Sequence, residues 1–393
     1  MKVICDRAAL SSAVALVAGV VNPRSPKPQL ACVKLTAKKP SGSTPGALTL
    51  AATDGEVSLR MSLAQAEVQE AGELLVPAER LRAIVQAEEG DPTLTLESDQ
   101  DVCVIKGQDA KFKVFGYPAT EFPPVPEFPA ADAASDIFAI APEMLQRLIS
   151  RTIFSVAREN SRYAINGVLL RRQGKKLEMV ATDGRRLALA RGTAESAGSG
   201  EKSVSCIIQT KALNLLSRLV GEPEGSVRVA ITSNQVIFSI DEGDAKNSAG
   251  ATVLASSLVE GTFPPYEDVI PKDQDKKAKF DVGVLSSAVR RAGILTNEES
   301  RGVRMAFGGE KGGSKTVKLA SRTPELGEAE VNVEVEAYEG GEIEIGFNPA
   351  YISDALKVLS DEQVMLELKA PNKPGVIKSG PDFLYVVMPV NLQ

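Results

Sequence analysis

An α+β fold of three similar domains, each with two helices packed on antiparallel sheets, is what the sequence predicts, and three observations carry the prediction. Amphipathic helical stretches recur at a near-constant step along all 393 residues. Runs that alternate apolar and polar residues, as strands with one wet face do, fill the intervals. Short motifs reappear about one domain length apart, and a fixed period means copies of one building block.

Helix-like segments begin near Asp6, Pro77, Ala141, Gln209, Asp281 and Asn348, at steps of roughly 64–72 residues. Asp6 and Asp281 are natural N-caps, and Pro142 and Pro349 stand at the first helical position, where a missing N–H costs no hydrogen bond. Leu10, Ala13, Val14 and Val17 follow helical spacing, as do Ala212, Leu215, Leu216 and Leu219, so each helix has one stripe to bury. Strand signals lie between them. Val331, Val333 and Val335 alternate with Asn332, Glu334 and Glu336, and Val364, Leu366 and Leu368 alternate with Met365 and Glu367. Ala52-Thr53-Asp54-Gly55 recurs as Ala181-Thr182-Asp183-Gly184, and Phe122-Pro123-Pro124 recurs as Phe263-Pro264-Pro265. The Pro-rich stretches close the first two copies, which sets boundaries near residues 135 and 272 and gives domains 1–134, 135–271 and 272–393. Lys38 to Gly46 and Gly308 to Ser314 read as loops.

With 43% hydrophobic and 24% charged residues the chain is globular and has room for real cores. No run approaches the roughly 18 apolar residues of a membrane span. Met1-Lys2-Val3-Ile4-Cys5-Asp6 carries no secretory pattern, so the expected location is cytoplasmic, with no membrane partner. Cys5, Cys32, Cys103 and Cys206 lie far apart without a CxxC pair, which supports neither a zinc site nor a disulfide scaffold. Histidine is absent, and with it the commonest general base and metal ligand. There is also no Walker loop, no GxGxxG after a strand and no GxSxG, so neither a cofactor nor a catalytic constellation is expected. An enzyme using Asp54 and Asp183 as acid and base is one rival, but aspartate followed by glycine is first a turn signal.

Charge distribution says more than the net −6. The polar helix faces carry Arg7, Arg80, Arg82, Arg147, Arg151, Lys211, Arg218, Arg290, Arg291 and Lys357, while acids such as Glu328, Glu330, Glu334 and Glu336 gather on strands and loops. Arg147 and Arg151 at i and i+4, and Lys211 and Arg218 at i and i+7, share sides opposite the apolar stripes. A repeat β-rich scaffold, the second rival, has no need of such basic faces.

Five separated motifs then carry a resemblance: Arg162-Tyr163-Ala164-Ile165-Asn166-Gly167-Val168-Leu169, Val180 to Ala188, Arg301-Gly302-Val303-Arg304, Ile345-Gly346-Phe347-Asn348 and Tyr385-Val386-Val387-Met388-Pro389. In order and spacing the chain resembles the bacterial sliding clamps, the beta subunits of DNA polymerase III. The resemblance implies a head-to-tail homodimer, a closed DNA clamp ring with helices around a central hole for double-stranded DNA. It also implies as partners the DNA polymerase III catalytic subunit, a clamp loader ATPase complex and other clamp-binding replication and repair proteins.

The site residues follow from that resemblance. A partner peptide-binding pocket comprises Ile165, Thr182, Gly184, Arg185, Arg186 and Leu187 on one side. Pro264, Val269, Asn348, Tyr351, Val386, Val387, Met388 and Pro389 form the other. For DNA it points to Arg24, Arg80, Arg162 and Tyr163, to which the helix faces add Arg147, Arg151, Lys211 and Arg218. The dimer interface joins Phe112 and Val114 to Ile294 and Leu295, with Lys111 and Lys113 near Glu328 and Glu330. Arg185, Asp268 and Ser300 depart from the family's usual histidine, basic and aromatic residues, which bears on partner preference.

Overall fold

A computed structural model describes residues 1–42, 46–63, 65–130, 136–158, 163–196, 203–221, 225–240, 251–296, 302–308, 316–324 and 326–391. Its six α-helices among the described residues each start one residue after the expected start position. Three capping side chains do what their position demands. Asp6 accepts the Ala9 N–H and Asp281 the Val284 N–H, both at 2.8 Å, and Asn348 accepts from Ala350 at 2.9 Å. Each such cap stabilises its helix by about 1 kcal/mol.

The element order recurs in three copies, the second with one strand fewer between its two helices among the described residues. The first copy runs β1 (Lys2–Asp6), α1 (Arg7–Ala18), β2 (Cys32–Lys38), β3 (Ala47–Thr53), β4 (Val57–Leu63) and β5 (Ala66–Glu70). It continues with β6 (Gly72–Pro77), α2 (Ala78–Ala87), β7 (Thr93–Asp99), β8 (Val102–Lys106) and β9 (Lys111–Phe115). The second runs β10 (Asp136–Ile140), α3 (Pro142–Ser150), β11 (Gly167–Gln173), β12 (Lys176–Thr182) and β13 (Arg186–Thr193). Then come β14 (Val204–Gln209), α4 (Thr210–Leu219), β15 (Val227–Ile231), β16 (Gln235–Ile240) and β17 (Thr252–Ser257). The third runs β18 (Lys276–Asp281), α5 (Val282–Ala292), β19 (Val303–Phe307), β20 (Thr316–Thr323), β21 (Gly327–Glu334) and β22 (Ala337–Glu339). It ends with β23 (Ile343–Phe347), α6 (Pro349–Lys357), β24 (Gln363–Leu368), β25 (Gly375–Ser379) and β26 (Phe383–Val387). Most of the expected loop 308–314 and residues 43–45 of the other lie outside the described residues.

The chain packs as two compact units, Met1–Gln146 with Ala194–Leu258, and Arg147–Thr193 with Val259–Gln393. In the first, one antiparallel sheet has the order β10-β15-β16-β17-β4-β3-β2-β6 and a smaller one β5-β1-β7-β8-β9. In the second the orders are β11-β12-β13-β26-β25-β24-β18-β22 and β21-β20-β19-β23. Each unit thus contains one junction between successive copies, β4 against β17 with Leu59 opposite Leu254, and β13 against β26 with Ala188 opposite Tyr385.

Alternation decides what is inside. Val364, Leu366 and Leu368 are buried, as are Val333 and Val335, while Glu330 and Glu334 point outward. Phe280, Phe307, Phe347 and Phe383 anchor the core of the second unit, and Leu10, Leu35, Leu48 and Leu50 are fully buried in the first. All four cysteines are buried. Burial pushes the Cys32 thiol up to about 11 and the Cys103 and Cys206 thiols to about 12, which leaves them protonated and unreactive at neutral pH.

Candidate docking pocket and nucleic-acid face

Both copies of the Thr-Asp-Gly motif build the same turn. Asp54 accepts the N–H groups of Glu56 and Val57, and Asp183 those of Arg185 and Arg186, all at 2.8–3.0 Å. Thr53 and Thr182 hydroxyls donate to the carbonyls of Val57 and Arg186 and accept from Gly55 and Gly184. Gly55 and Gly184 have φ of 97° and 83°, a region other residues rarely adopt, although nothing would crowd a Cβ at either. The turn reading of both aspartates therefore matches the geometry. What differs between the two turns is the cation that sits on each.

At the second turn that cation is Arg186, whose guanidinium makes three bonds. It donates from Nε to Asp183 at 3.0 Å, from Nη1 to Asp354 on α6 at 2.8 Å, and from Nη2 to the Phe154 carbonyl at 2.7 Å. The fork also lies 4.4 Å from the Tyr351 ring centroid and 5.6 Å from that of Phe154. Burial works against the charge, yet Asp354, Tyr385 and Asp183 together raise its pKa above the ordinary arginine value. Arg186 thus pins α6 and the segment around Phe154 to the β12–β13 turn.

Around this pin the predicted pocket residues of the second unit converge. Leu187 lies opposite Val386 and Arg186 opposite Val387. Leu187, Val386 and Val387 are buried and make a floor more than a wall. Past β26 the Met388 N–H donates to the Arg185 carbonyl and the Val390 N–H to that of Gly346, both at 2.9 Å, so the terminal segment is laid along the site. The Tyr385 hydroxyl donates to the Tyr351 carbonyl at 3.0 Å, behind the half-buried Asn348 and Tyr351. Tyr266 holds the Pro264–Val269 stretch by donating to Glu178 at 3.2 Å, and burial pushes its phenol up to about 12, which keeps it a donor. The surface left above is apolar and open: Met388 is 44% and Val269 55% exposed, with half-buried Ile165, Pro264 and Pro389. Thr182 is buried beneath the turn, while Gly184, Arg185 and Asp268 are exposed. Phe154 and Asp354 belong to this constellation although neither was foreseen, because both act through Arg186. Ser300 lies outside the described residues.

The residues assigned to DNA divide differently. Arg24 is exposed on a loop shaped by Asn22, whose side chain accepts the Arg24 N–H at 3.0 Å and whose carbonyl accepts that of Ser25. Arg80 is exposed on α2 and Arg218 on α4, and the Arg218 guanidinium reaches to 3.6 Å from the Cβ position of Gly19, at the end of α1. Arg147 is half-buried on α3 with Asp382 at 4.0 Å, and Tyr163 is 41% exposed. Arg162 lies outside the described residues.

Two expectations need correction. Arg151 is not on the exposed face with Arg147: α3 ends at Ser150, and Arg151 turns inward, 4% exposed, over the Phe383 ring and 3.5 Å from Asp361. Lys211 is committed to the protein, donating to the Val20 carbonyl at 2.6 Å and to Asp54. Burial alone would raise the Asp54 pKa, but Lys211 and the Val57 and Glu56 N–H groups hold it below the ordinary range. Because the folded value is the lower one, this carboxylate's stabilisation is complete above the unfolded value near 3.8 and is lost as pH falls through the folded value. Asp54→Asn is expected to cost about 1–2 kcal/mol near neutrality. The deficit should shrink in more acid solution, read from urea midpoints across pH.

The residues expected at the dimer interface sit on the edge strand β9 and in the helical turn that follows α5. Phe112 and Val114 are on β9, facing inward, with Lys111, Lys113 and a 79% exposed Phe115 on the other face. Ile294, 70% exposed, and half-buried Leu295 follow α5, and the Leu295 carbonyl accepts the Thr323 hydroxyl at 2.6 Å.

Comparison with known proteins agrees along the whole chain. The model of the DNA polymerase III beta subunit N-terminal domain matches residues 1–126, that of the central domain 139–265 and that of the C-terminal domain 267–391. The beta sliding clamp of Pseudomonas aeruginosa is 34% identical over 389 residues, covering 98% of this chain and 99% of that protein. The beta sliding clamp of Escherichia coli K12 is 31% identical over 350 residues, 88% of this chain and 89% of its own. A crystal structure of the Pseudomonas aeruginosa DnaN sliding clamp bound to griselimycin superposes with a TM-score of 0.87 at 34% identity, covering all of both chains. With its three repeated copies matched in order, this chain belongs to the DNA polymerase III beta subunit family, the beta sliding clamps.

Proposed function

We propose that two copies of this chain close head to tail into a ring around duplex DNA, and that the ring tethers the replicative DNA polymerase and other replication and repair proteins without reading sequence. The observation that carries this reading is the family match over all three copies in order. The copies correspond to domains 1–134, 135–271 and 272–393, a division supported by the repeated element order. Arg24, Arg80, Arg147, Tyr163 and Arg218 are the proposed contacts to the DNA backbone, since their side chains reach solvent from helices and loops. Such contacts bind phosphate and carry no sequence information, so movement along the duplex costs little. The pocket over Arg186 takes an extended peptide tail of each partner, with flexible Met388 accommodating different apolar anchors. Opening of the ring falls to a clamp loader ATPase.

The test is topological. Protein loaded on a nicked circular plasmid is expected to stay through gel filtration and to be lost, at least about tenfold faster, once a single cut makes the circle linear. Equal retention on both forms would falsify encirclement and point to ordinary tight binding.

A further inference from the structure

One ammonium ties three separate elements together at the junction of the first two copies. Lys211, the second residue of α4, donates to the Val20 carbonyl at 2.6 Å and to the Asp54 carboxylate in the β3–β4 turn. The second junction is tied in the same way. There the Arg186 guanidinium joins the β12–β13 turn to Asp354 on α6 and to the Phe154 carbonyl, which follows α3 as Val20 follows α1. Each joint thus gathers a Thr-Asp-Gly turn, the second helix of the next copy and a carbonyl just past the first helix of its own. At the second junction this tie supports the docking surface. At the first, the tied carbonyl lies at the root of the Arg24 loop.

That root is closely fitted. α1 ends at Ala18, and the Gly19 and Val20 N–H groups close its last turn on the Leu16 and Val17 carbonyls, both at 3.1 Å. α4 covers this end: Leu215 comes to 3.2 Å and Arg218 to 3.6 Å from the Cβ position of Gly19, so a larger residue there would crowd Leu215. Val20 is fully buried, whereas Asn22, Pro23 and Arg24 are exposed. The chain therefore leaves the protein just past Val20, and Arg24 lies four residues beyond the carbonyl that Lys211 holds. Those four residues are stiff. Pro23 fixes its own φ, the Asn22 side chain accepts the Arg24 N–H at 3.0 Å, and the Asn22 carbonyl accepts the Ser25 N–H at 3.0 Å. The direction set at Val20 is carried to the guanidinium.

We infer that Lys211 is a positioning residue for DNA: with Asp54 it fixes the root of the 22–27 loop and so aims Arg24 at the duplex, without touching phosphate itself. This rests on the DNA face proposed above and names the group that holds one of its loops. The Lys211 charge is already matched by Asp54, and its hydrogens are directed at two protein oxygens. Swinging it onto a phosphate would strand the Val20 carbonyl, in a residue with no exposed surface. It would also take the cation from Asp54, whose side chain is only 15% exposed. Lys211 therefore serves DNA best by staying where it is.

Two consequences separate this role from a direct phosphate contact. Groups that act on DNA through one guanidinium cannot contribute separately, so their substitutions are not additive, whereas two independent contacts add. Asp54 supplies a test of sign. Removing a negative charge near a phosphate backbone strengthens binding if charge alone matters, while loosening the loop root weakens it.

Binding of the full-length protein to a fluorescein-labelled primed duplex, followed by anisotropy over about 50–200 mM salt, tests this. Arg24→Ala and Lys211→Met should each weaken binding by about three- to tenfold, and the two together by no more than Arg24→Ala alone. Methionine keeps an aliphatic stem of similar length, and sedimentation with circular dichroism checks assembly and fold. Asp54→Asn, which retains an acceptor for the Glu56 and Val57 N–H groups, should weaken binding by about twofold despite the lost negative charge. Additive losses, with a salt slope lowered by about 0.9 for each lysine removed, would make Lys211 a direct contact and overturn the proposal. Tighter binding by Asp54→Asn, or unchanged binding by Lys211→Met, would overturn it too. Each of these leaves the DNA face standing, whereas unchanged binding by Arg24→Ala removes Arg24 from that face and the positioning role with it.

Discussion

Ile294→Asp together with Leu295→Asp should leave the protein monomeric at micromolar concentration, where the unaltered chain sediments as a dimer. Ile294 is 70% exposed in one copy, and a side chain of this size stabilises by about 1.5–3 kcal/mol when fully covered. An aspartate forfeits that and adds charge beside an edge that already carries Glu328 and Glu330. The closed ring amplifies the loss, because one substitution appears in both identical seams. A deficit of about 3 kcal/mol per seam becomes about 6 kcal/mol per ring, roughly four orders of magnitude in the dimer dissociation constant. Ile294→Asp alone is the control for folding, since its side chain is mostly in solvent. It should keep the circular dichroism spectrum and lose the dimer. A stable dimer of the double variant would remove these residues from the seam.

Arg186→Ala should weaken peptide docking while leaving the dimer intact. The guanidinium is 11% exposed, and its loss strands the Phe154 carbonyl and removes a partner from Asp354, which keeps Lys357 at 3.7 Å. Breaking a buried pair costs about 3–5 kcal/mol, and the one-third exposure of Asp354 reduces this to about 2–4 kcal/mol in chemical unfolding. Tyr351 and the Phe154 segment then lose the group that ties them to the turn, so affinity for a leucine- or phenylalanine-bearing tail should fall by more than about tenfold. Arg186→Lys keeps the charge but cannot make three bonds at once, so it should fall between. Unchanged peptide affinity in the alanine variant, measured by fluorescence anisotropy, would show that the pocket does not depend on the pin.

Much of the fold was legible because its signals are local. A cap is one side chain reaching a backbone N–H three residues on, as at Asp6 and Asp281, and the Thr-Asp-Gly turns are closed within five residues. Alternation along β24 reports burial directly, since successive side chains point to opposite faces. The site was less legible. Spacing placed Arg151 beside Arg147, but the helix stops one residue short of it, and Asp361, 210 residues away, receives it instead. Lys211 has the spacing of a solvent-facing cation and is held by Asp54, 157 residues distant.

The three copies, their helix starts, their strand faces and the two Asp-Gly turns follow from residue order alone, because each depends on neighbours within a few residues. Which cations reach solvent and which are consumed, and how the β12–β13 turn, α6 and the terminal segment meet around Arg186, depend on the folded arrangement. The reason is physical: a charge's role depends on which opposite charge lies within about 4 Å, and that partner is brought there by strand pairing across a hundred residues or more.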